Sequence, residues 1–424
     1  SAALFGDPVT IAIFVFGVIG GMLFGAIPGV SMLTLAAILL PFTADLDPAQ
    51  GVMLFAVIYC TGTYGGAITA ILFNIPGAPE NAPTAFDGYP MTRQGKSGKA
   101  VGAAVLCSAI GGVASALVMM AATEPLANWA IRNIGPPEIF ALVFFGLAVA
   151  SSVGGRTIWK GWMSVLLGLL IATIGQDPVG GINRYNFGFT DLAAGIAFVP
   201  AILGFFAVSE IFVQAEKKAT GQYDAPKVGM SFPSVLELWA HKFAVVRSIL
   251  VGFFCGILPG IGATLAAFMG YGEAVRWSKN KEEFGKGKLE GVISSETANN
   301  AATGAAMIPL LALGLPGGAL TAMMVAVFQM HDLEPGPLVF YNSPELIWIV
   351  FAAMFYANLS ILFIGLIETK TILYLLKIPF QFLAPLILLL ATIGAYISRG
   401  LVLDVMVMFG AGIIGFLLRR TGYS

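Results

Sequence analysis

The chain contains 424 residues, of which 58% are hydrophobic and only 11% are charged, and its formal net charge is −1. Soluble domains carry about 25% charged residues, and a mean hydropathy of +0.87 indicates a polytopic membrane protein rather than a soluble domain with one anchor. A net charge this close to zero argues against nucleic acid as a partner. Cys60, Cys107 and Cys255 lie in apolar runs, so neither a disulfide framework nor a metal site is indicated.

Charges inside a bilayer are costly, so runs without charged residues mark the predicted membrane segments. A spanning helix needs about 20 apolar residues. The runs cover 8–44, 48–79, 100–123, 139–155, 161–176, 192–209, 248–272, 297–331, 346–367, 378–398 and 405–418. The first and the seventh contain a Pro-Gly pair near the centre, at 28–29 and 259–260. Proline removes a backbone donor and glycine permits positive φ, so each pair is predicted to break a helix.

The charges that flank these two segments indicate on which side of the membrane each begins and ends. Acidic residues without Lys or Arg stand at both ends of 8–44, whereas basic residues stand at both ends of 248–272. By the positive-inside rule, the first segment starts and ends outside and the second starts and ends inside. We therefore interpret both as re-entrant hairpins with Pro-Gly at the tip, and a tilted crossing with a proline kink is the alternative.

Two motifs occur twice in the same order. Gly-Ala-Ile-Pro-Gly-Val at 25–30 matches Gly-Ile-Leu-Pro-Gly-Ile at 256–261, and Asn-Ile-Pro-Gly at 74–77 matches Gly-Leu-Pro-Gly at 314–317. The loops that follow these motifs carry opposite charge in the two halves. Equal motifs on opposite sides of a membrane are the signature of an inverted-topology repeat, which many secondary transporters use.

The predicted fold is an all-α polytopic membrane protein with two inverted-topology repeats, each containing a re-entrant hairpin and a broken transmembrane helix, plus about seven further transmembrane helices. The first repeat covers 1–215, with a hairpin at 8–44, a broken helix at 48–92 and four further helices. A cytoplasmic connector covers 216–242. The second repeat covers 243–424, with a hairpin at 244–274, a broken helix at 290–331 and three further helices.

Polar residues concentrate around the breaks, and irregular backbone at membrane depth is stable only where protein or water satisfies it. A helix that restarts after a break presents free N–H groups that hold an anion, and the carbonyls of the helix that ends there coordinate Na+. The predicted substrate-binding residues are Pro28, Gly29, Val30, Ser31, Asn74, Pro76, Gly77, Asn81, Thr84, Pro259, Gly260, Ile261, Gly262, Asn299, Asn300, Pro316, Gly317 and Thr321. The predicted ion-binding residues are Thr63, Thr69, Glu80, Glu296 and Thr303.

These assignments have structural alternatives. Ser and Thr in membrane helices often hydrogen-bond to their own backbone, and Glu80 and Glu296 are either proton or sodium sites or solvated loop carboxylates. Successive helical residues point about 100° apart, so Asn299 and Asn300 cannot face one ligand identically. One of the two is expected to reach the ligand and the other to hold the broken backbone. No catalytic triad, Cys-His pair or metal-ligand spacing occurs in the sequence, so no enzymatic activity is predicted.

Motifs around both breaks carry a family resemblance. They lie at 25–30, 74–84, 87–91, 256–263, 297–301 and 308–317. In these motifs, and over essentially the whole chain, the sequence resembles the large membrane subunit of the tripartite tricarboxylate transporters, the TctA family. Ser31 departs from the pattern, since the family often has glycine at this position.

The resemblance implies a bacterial inner-membrane importer of organic carboxylates (tri- or dicarboxylates) that is coupled to Na+ or H+ and needs no cofactor. It also implies two partners, a small TctB-like membrane subunit and a periplasmic TctC-like solute-binding protein that delivers the substrate. Similar two-hairpin carriers use an elevator-type alternating-access motion. An anion channel, or another membrane carrier that works without a binding protein, is the alternative function.

Overall fold

The computed structural model describes residues 2–27, 31–153, 158–177, 182–216, 233–259, 262–375 and 380–423. Across these residues the regular structure is almost entirely helical, which confirms the predicted all-α membrane fold. Seven helices in the described ranges are long and apolar enough to span a membrane, judged by length and composition alone. They are Pro8–Ala26, Pro48–Phe73, Ser97–Asn133, Phe198–Glu216, Pro344–Gly365, Phe382–Arg399 and Val402–Arg420.

The described residues of the first half form two broken elements followed by further helices of varied length. These are α1 (Ala2–Phe5), α2 (Pro8–Ala26), α3 (Met32–Leu39), α4 (Pro48–Phe73), α5 (Ala82–Arg93), α6 (Ser97–Asn133), α7 (Pro136–Val153), α8 (Ile158–Ala172), α9 (Phe198–Ile202) and α10 (Ser209–Glu216). Turns of 3₁₀ helix at Leu40–Asp45, Pro79–Asn81 and Thr190–Ala194 and a π-helical stretch at Leu203–Val208 lie between them.

The described residues of the second half follow a similar order. They form α11 (Val235–Ala240), α12 (Lys242–Ile257), α13 (Gly262–Trp277), α14 (Leu289–Leu313), α15 (Ala319–Met330), α16 (Val339–Asn342), α17 (Pro344–Leu375), α18 (Phe380–Arg399) and α19 (Val402–Arg420), with a 3₁₀ turn at Lys281–Glu283. The segment predicted as hairpin two thus corresponds to α12 and α13, and the segment predicted as the second broken helix corresponds to α14 and α15, while the re-entrant course of the hairpin stays a prediction.

Both broken helices end in the same backbone geometry. α4 ends at Asn74, whose φ of 59° is left-handed, and α14 ends at Gly314, whose φ is 74°. The N–H of each residue bonds to the carbonyl four residues back, and the next N–H bonds to the carbonyl six residues back. Pro76 and Pro316 follow two positions later and prevent the helix from continuing. The geometry therefore repeats at the spacing of the sequence motif.

Each hairpin packs along the broken helix of its own half in the same register. A Cβ atom on Gly25 of α2 would stand 2.3 Å from the carbonyl oxygen of Gly62 on α4. A Cβ atom on Gly256 of α12 would stand 2.6 Å from the carbonyl oxygen of Ala302 on α14. Small residues let the helix backbones approach this closely. Gly62 and Ala302 are separated by the same interval as Asn74 and Gly314, while the orientation of the two halves in the membrane stays a prediction.

The two broken helices α4 and α14 form the centre of the protein. Every residue of α4 from 51 to 72 and of α14 from 291 to 312 is buried. α6, α12 and α13 pack along α14, whereas α2 and α17 pack along α4. Polar side chains on these two helices therefore have to find their partners inside the protein, and this requirement positions the site described below.

The sequence placed the ends of some helices wrongly. The charge-free run 100–123 predicted a helix followed by a loop with Glu124 and Arg132, but α6 continues as one helix of 37 residues to Asn133. Its length of about 55 Å exceeds the thickness of a bilayer core. Charge marks where a helix leaves the membrane and not where it ends, because Ala, Leu, Glu and Arg all favour helix.

Two smaller elements lie beside the helices. A two-residue antiparallel pair joins β1 (Gly175–Gln176) to β2 (Asn183–Arg184), and the sequence did not predict it because strands this short show no alternation.

Residues 217–232, most of the predicted connector, lie outside the described residues. Beyond them, α11 starts at a capping box of Ser234 and Glu237, and Glu237 pairs with Lys99 at the start of α6. This hydrogen bond holds the pKa of Glu237 below its ordinary value.

Candidate functional site

The first turn of α13 lies between the two helix breaks. Gly262 has a left-handed φ of 63°. A Cβ atom added to it would stand 3.9 Å from the Gly317 oxygen and from the Gly318 Cα atom, next to the second break. Two residues further on, the Thr264 hydroxyl lies 3.5 Å from Oε2 of Glu80, which belongs to the 3₁₀ turn after the first break. Hairpin two therefore contacts both breaks through the start of its returning helix.

Two side-chain amides bond to the main chain of α4, and the one from Asn300 on α14 connects the two halves. Nδ2 of Asn300 on α14 donates a hydrogen bond of 3.1 Å to the carbonyl oxygen of Cys60 on α4. The Cys60 sulfur lies 3.8 Å from the Thr303 hydroxyl. Nδ2 of Asn81, at the start of α5, donates at 2.8 Å to the carbonyl oxygen of Thr63. Two amides thus bond to the main chain of α4 within one turn of each other.

Glu296 is the centre of a buried polar cluster between α5, α6 and α14, which we call the Glu296 cluster (Thr84, Ser108, Ser295, Glu296 and Asn299). The Thr84 hydroxyl donates to Oε1 of Glu296, and the Ser108 hydroxyl donates to Oε2 at 2.9 Å. Nδ2 of Asn299 lies 3.4 Å from Oε1, and the Thr84 oxygen is 3.0 Å from the Ser295 hydroxyl. All five side chains are 0% exposed.

Several acceptors in this region have no donor. Oε1 of Glu80 and the Oδ1 atoms of Asn81, Asn299 and Asn300 are buried without a hydrogen-bond partner. None of the ion pairs found among the described residues involves Glu80 or Glu296. Within the same residues, no group of three or more His, Cys, Asp and Glu side chains is arranged to hold a metal ion. The region is therefore rich in oxygen atoms, and no basic side chain of the described residues pairs with its two carboxyl groups.

Comparisons with known proteins identify the family of this chain. The model of the tripartite tricarboxylate transporter TctA family matches residues 11–424. The chain belongs to this family. An uncharacterised 52.8 kDa Agrobacterium vitis protein from the TAR-I ttuC′ 3′ region is 37% identical over 422 residues, covering 98% of this chain and 82% of that protein. A second A. vitis protein, from the TAR-II ttuC′ 3′ region, is 39% identical over 171 residues, or 40% of this chain and 71% of that protein. No solved structure matches.

Membership of the TctA family confirms the resemblance on which the functional expectation rested. The chain is a membrane subunit of a tripartite tricarboxylate transporter, and its helices match a multi-pass membrane protein. The family is a transporter component. The residues of this TctA chain that would bind substrate or ion stay predictions, and their positions are given next.

The predicted residues at the breaks mostly shape the backbone. Asn74, Pro76, Pro316 and Gly317 belong to the left-handed helix ends and the turns that follow them. The Gly77 N–H bonds to the carbonyl of Gly66 at 3.4 Å. The Thr321 hydroxyl caps α15 through the N–H and carbonyl of Gly318, and Ser31 caps α3 by accepting from the Thr34 N–H at 3.4 Å. Pro259 is half-buried at the tip of hairpin two.

Some predicted residues fall where the structure gives no description. Pro28, Gly29 and Val30 at the tip of hairpin one, and Gly260 and Ile261 at the tip of hairpin two, lie outside the described residues. Their assignment to the substrate site stays a prediction.

Three predicted ion-binding hydroxyls bond to their own helices. Thr63 donates to the Tyr59 carbonyl at 2.8 Å, Thr69 to the Gly66 carbonyl at 3.3 Å, and Thr303 to the Asn300 carbonyl at 2.8 Å. This is the structural alternative expected for Thr in a membrane helix. Among the predicted residues, Thr84, Asn299 and Glu296 come together in the Glu296 cluster, and Glu80 lies at the first break facing Thr264.

The sequence missed Ser108 and the role of Asp87. Ser108 is one serine among small residues in a charge-free helix, and only its contact with Glu296 distinguishes it. Asp87 on α5 is fully buried; its Oδ1 accepts from the N–H groups of Gly287 and Lys288 at 2.9 and 2.8 Å, and its Oδ2 accepts from the Tyr271 hydroxyl at 2.9 Å. These contacts hold α5 of the first half to the start of α14.

Proposed function

We propose that this chain is the large membrane subunit of a secondary transporter that imports tri- or dicarboxylates across a bacterial inner membrane, driven by Na+ or H+. A small TctB-like membrane subunit and a periplasmic TctC-like solute-binding protein complete the transporter. The observation that carries the proposal is the contact of the first turn of α13 with both helix breaks. One binding site formed jointly by two broken helices is the usual plan of a secondary carrier.

The substrate carboxylates are held by helix starts and neutral donors. α13 begins at Gly262 beside the second break, and α15 begins at Ala319 directly after it. The start of a helix carries free N–H groups and a partial positive charge. No Lys or Arg occurs at 25–30, 74–84, 256–264 or 314–321, so backbone N–H groups, Thr264 and the Asn amides supply the donors.

Alternating access follows from two halves of inverted orientation. The equal ends of α4 and α14 and the equal packing of α2 on α4 and of α12 on α14 support this internal repeat. α12 and α13 both pack along α14, which suits an elevator-type movement of hairpin two and α14 as one body. The substrate site between the breaks then faces one side of the membrane at a time.

Uptake into proteoliposomes tests this function. The chain is reconstituted with its small membrane subunit, and uptake of labelled tri- and dicarboxylates is measured with the solute-binding protein outside and a Na+ or pH gradient imposed. We expect accumulation above the external concentration for at least one carboxylate, and loss of accumulation when the gradient is dissipated by an ionophore. Liposomes without protein are the control.

Three outcomes of this assay contradict the proposal or a part of it. Equilibration of the carboxylate without accumulation under any gradient would identify an anion channel. Full accumulation with both gradients dissipated would exclude a secondary carrier. Accumulation at the same rate without the solute-binding protein would remove the proposed dependence on that partner.

A further inference from the structure

Glu296 is a fully buried carboxylate that has no cationic partner among the described residues. It is 0% exposed in the middle of α14. The other fully buried carboxylates are compensated, since Asp404 pairs with Arg399 and Asp87 accepts two backbone N–H groups at the start of α14. An ionised carboxylate removed from water is costly unless a positive charge accompanies it.

The hydroxyl groups of the Glu296 cluster are able to turn their oxygen atoms toward a cation. Thr84 has a second acceptor, the Ser295 oxygen at 3.0 Å. Ser295 itself donates to the carbonyl oxygen of Gly291 at 2.9 Å, so its oxygen is free to accept the Thr84 proton. The Thr84 oxygen then keeps its lone pairs for a cation beside Glu296.

The amide of Asn299 supplies a second observation that points to a cation. Its Nδ2 is only 3.4 Å from Oε1 of Glu296, while its Oδ1 is buried without any hydrogen-bond partner. A half-turn of this amide exchanges the two atoms. That turn brings a carbonyl oxygen to the carboxyl group, which is favourable when a cation lies between them or when Glu296 carries a proton that it donates to this oxygen. Both oxygen atoms of Glu296 already accept hydroxyl hydrogen bonds, which favours the ionised carboxylate and therefore the cation.

We propose that the Glu296 cluster is the binding site of the coupling Na+, with ligands from the Glu296 carboxylate, the Thr84 and Ser108 hydroxyls and the Asn299 amide oxygen. This inference rests on the proposed carrier function and assigns its ion. Oxygen ligands suit a hard cation, and a single carboxylate matches a single positive charge. Ca2+ takes 6–8 oxygen ligands, usually with several carboxylates, and the cluster has one.

The position of the cluster explains how Na+ would be coupled to substrate. Thr84 lies one turn after Asn81 and Glu80, and Glu80 faces Thr264 on α13. Na+ would join α5, which follows the first break, to α14, which leads to the second. It would therefore fix the two breaks relative to each other and prepare the substrate site. The Na+ site itself contains no residue of the breaks.

Thermal unfolding of the purified chain in Na+ and in choline tests the site independently of transport, because a ligand that binds only the folded state raises the melting temperature. We expect Na+ to raise the melting temperature of the wild type, Glu296→Gln to abolish this rise, and Ser108→Ala to require at least tenfold more Na+ for the same rise. Glu290→Gln removes a carboxylate from the half-exposed start of α14 and is the matched control, which should respond to Na+ like the wild type.

The transport assay separates failure of the site from failure of the proposed function. In proteoliposomes, Glu296→Gln should lose Na+-driven accumulation, and Ser108→Ala should raise the half-saturating Na+ concentration at least tenfold, while Glu290→Gln keeps the wild-type value. The proposed Na+ site is overturned if Glu296→Gln responds to Na+ as strongly as the wild type does. It is also overturned if a pH gradient drives carboxylate accumulation by the wild type and Na+ has no effect on it. Absence of carboxylate transport in a wild type that still shows the Glu296-dependent thermal shift refutes the carrier function and not the Na+ site.

Discussion

Replacing Asp87 with alanine is expected to lower the free energy of unfolding by about 3 kcal/mol or more, because the three hydrogen bonds that this carboxylate accepts contribute roughly 1.5–3 kcal/mol each and the cost of burying its charge offsets part of that sum. The change leaves the N–H groups of Gly287 and Lys288 without their acceptor where α14 begins. Thermal unfolding of the purified protein measures the loss. Asp87→Asn keeps an acceptor oxygen but loses the charge, so its loss should be smaller.

The control for Asp87 is an exposed carboxylate in the neighbouring loop. Glu282 lies in the 3₁₀ turn at Lys281–Glu283 and is exposed, so Glu282→Ala should unfold like the wild type. If Asp87→Ala and Glu282→Ala unfold at the same temperature, the contact of α5 with the start of α14 does not stabilise the fold.

Asn299 and Asn300 are expected to respond to alanine in opposite ways. Asn299→Ala removes a proposed Na+ ligand, so the apparent affinity for Na+ in uptake should fall about 10- to 150-fold, which corresponds to roughly 1.5–3 kcal/mol. Asn300→Ala removes the hydrogen bond to the Cys60 carbonyl, and it should instead lower the free energy of unfolding by about 1–3 kcal/mol. Each variant is the control for the other, since both lose the same amide from adjacent, fully buried positions of α14.

Uptake kinetics and thermal unfolding, measured on the same preparations, decide this prediction. Wild-type values for both variants in both measurements would mean that the Asn pair only fills space. A lower Na+ affinity for Asn300→Ala with normal stability would reverse the roles assigned to the two amides.

The ends of α4 and α14 follow from local chemistry. A left-handed residue followed two positions later by proline ends a helix wherever it occurs, and both Asn74 and Gly314 do so. The buried helices α4 and α14 lie in long charge-free runs, and such runs leave few structures other than a membrane helix. The end of α6 was not predicted, since charged residues such as Glu124 continue a helix as readily as they end one.

The contacts within the site depend on distant parts of the chain, and the sequence did not predict them. Thr84 meets Glu296 across 212 positions, and Ser108 meets Glu296 across 188. The sequence predicts that one of two adjacent amides faces a ligand and that the other holds the backbone, and the contact of Asn300 with the Cys60 carbonyl shows which one bonds to the backbone. Thr63 and Thr303 were chosen for their residue type, and their own helix carbonyls take both hydroxyl protons.

The central claim is that two halves of opposite orientation form one site, and labelling of single cysteines from each side of the membrane tests it most directly. Ala44, Lys96, Lys281 and Asn342 are exposed and are replaced one at a time by cysteine. Cys60, Cys107 and Cys255 are buried. The wild type, labelled with the same membrane-impermeant maleimide, therefore measures the background labelling. We predict that Ala44→Cys and Asn342→Cys react from outside intact cells and that Lys96→Cys and Lys281→Cys react only after the cells are opened. Reaction of Ala44→Cys and Lys281→Cys from the same side would contradict the inverted orientation of the two halves.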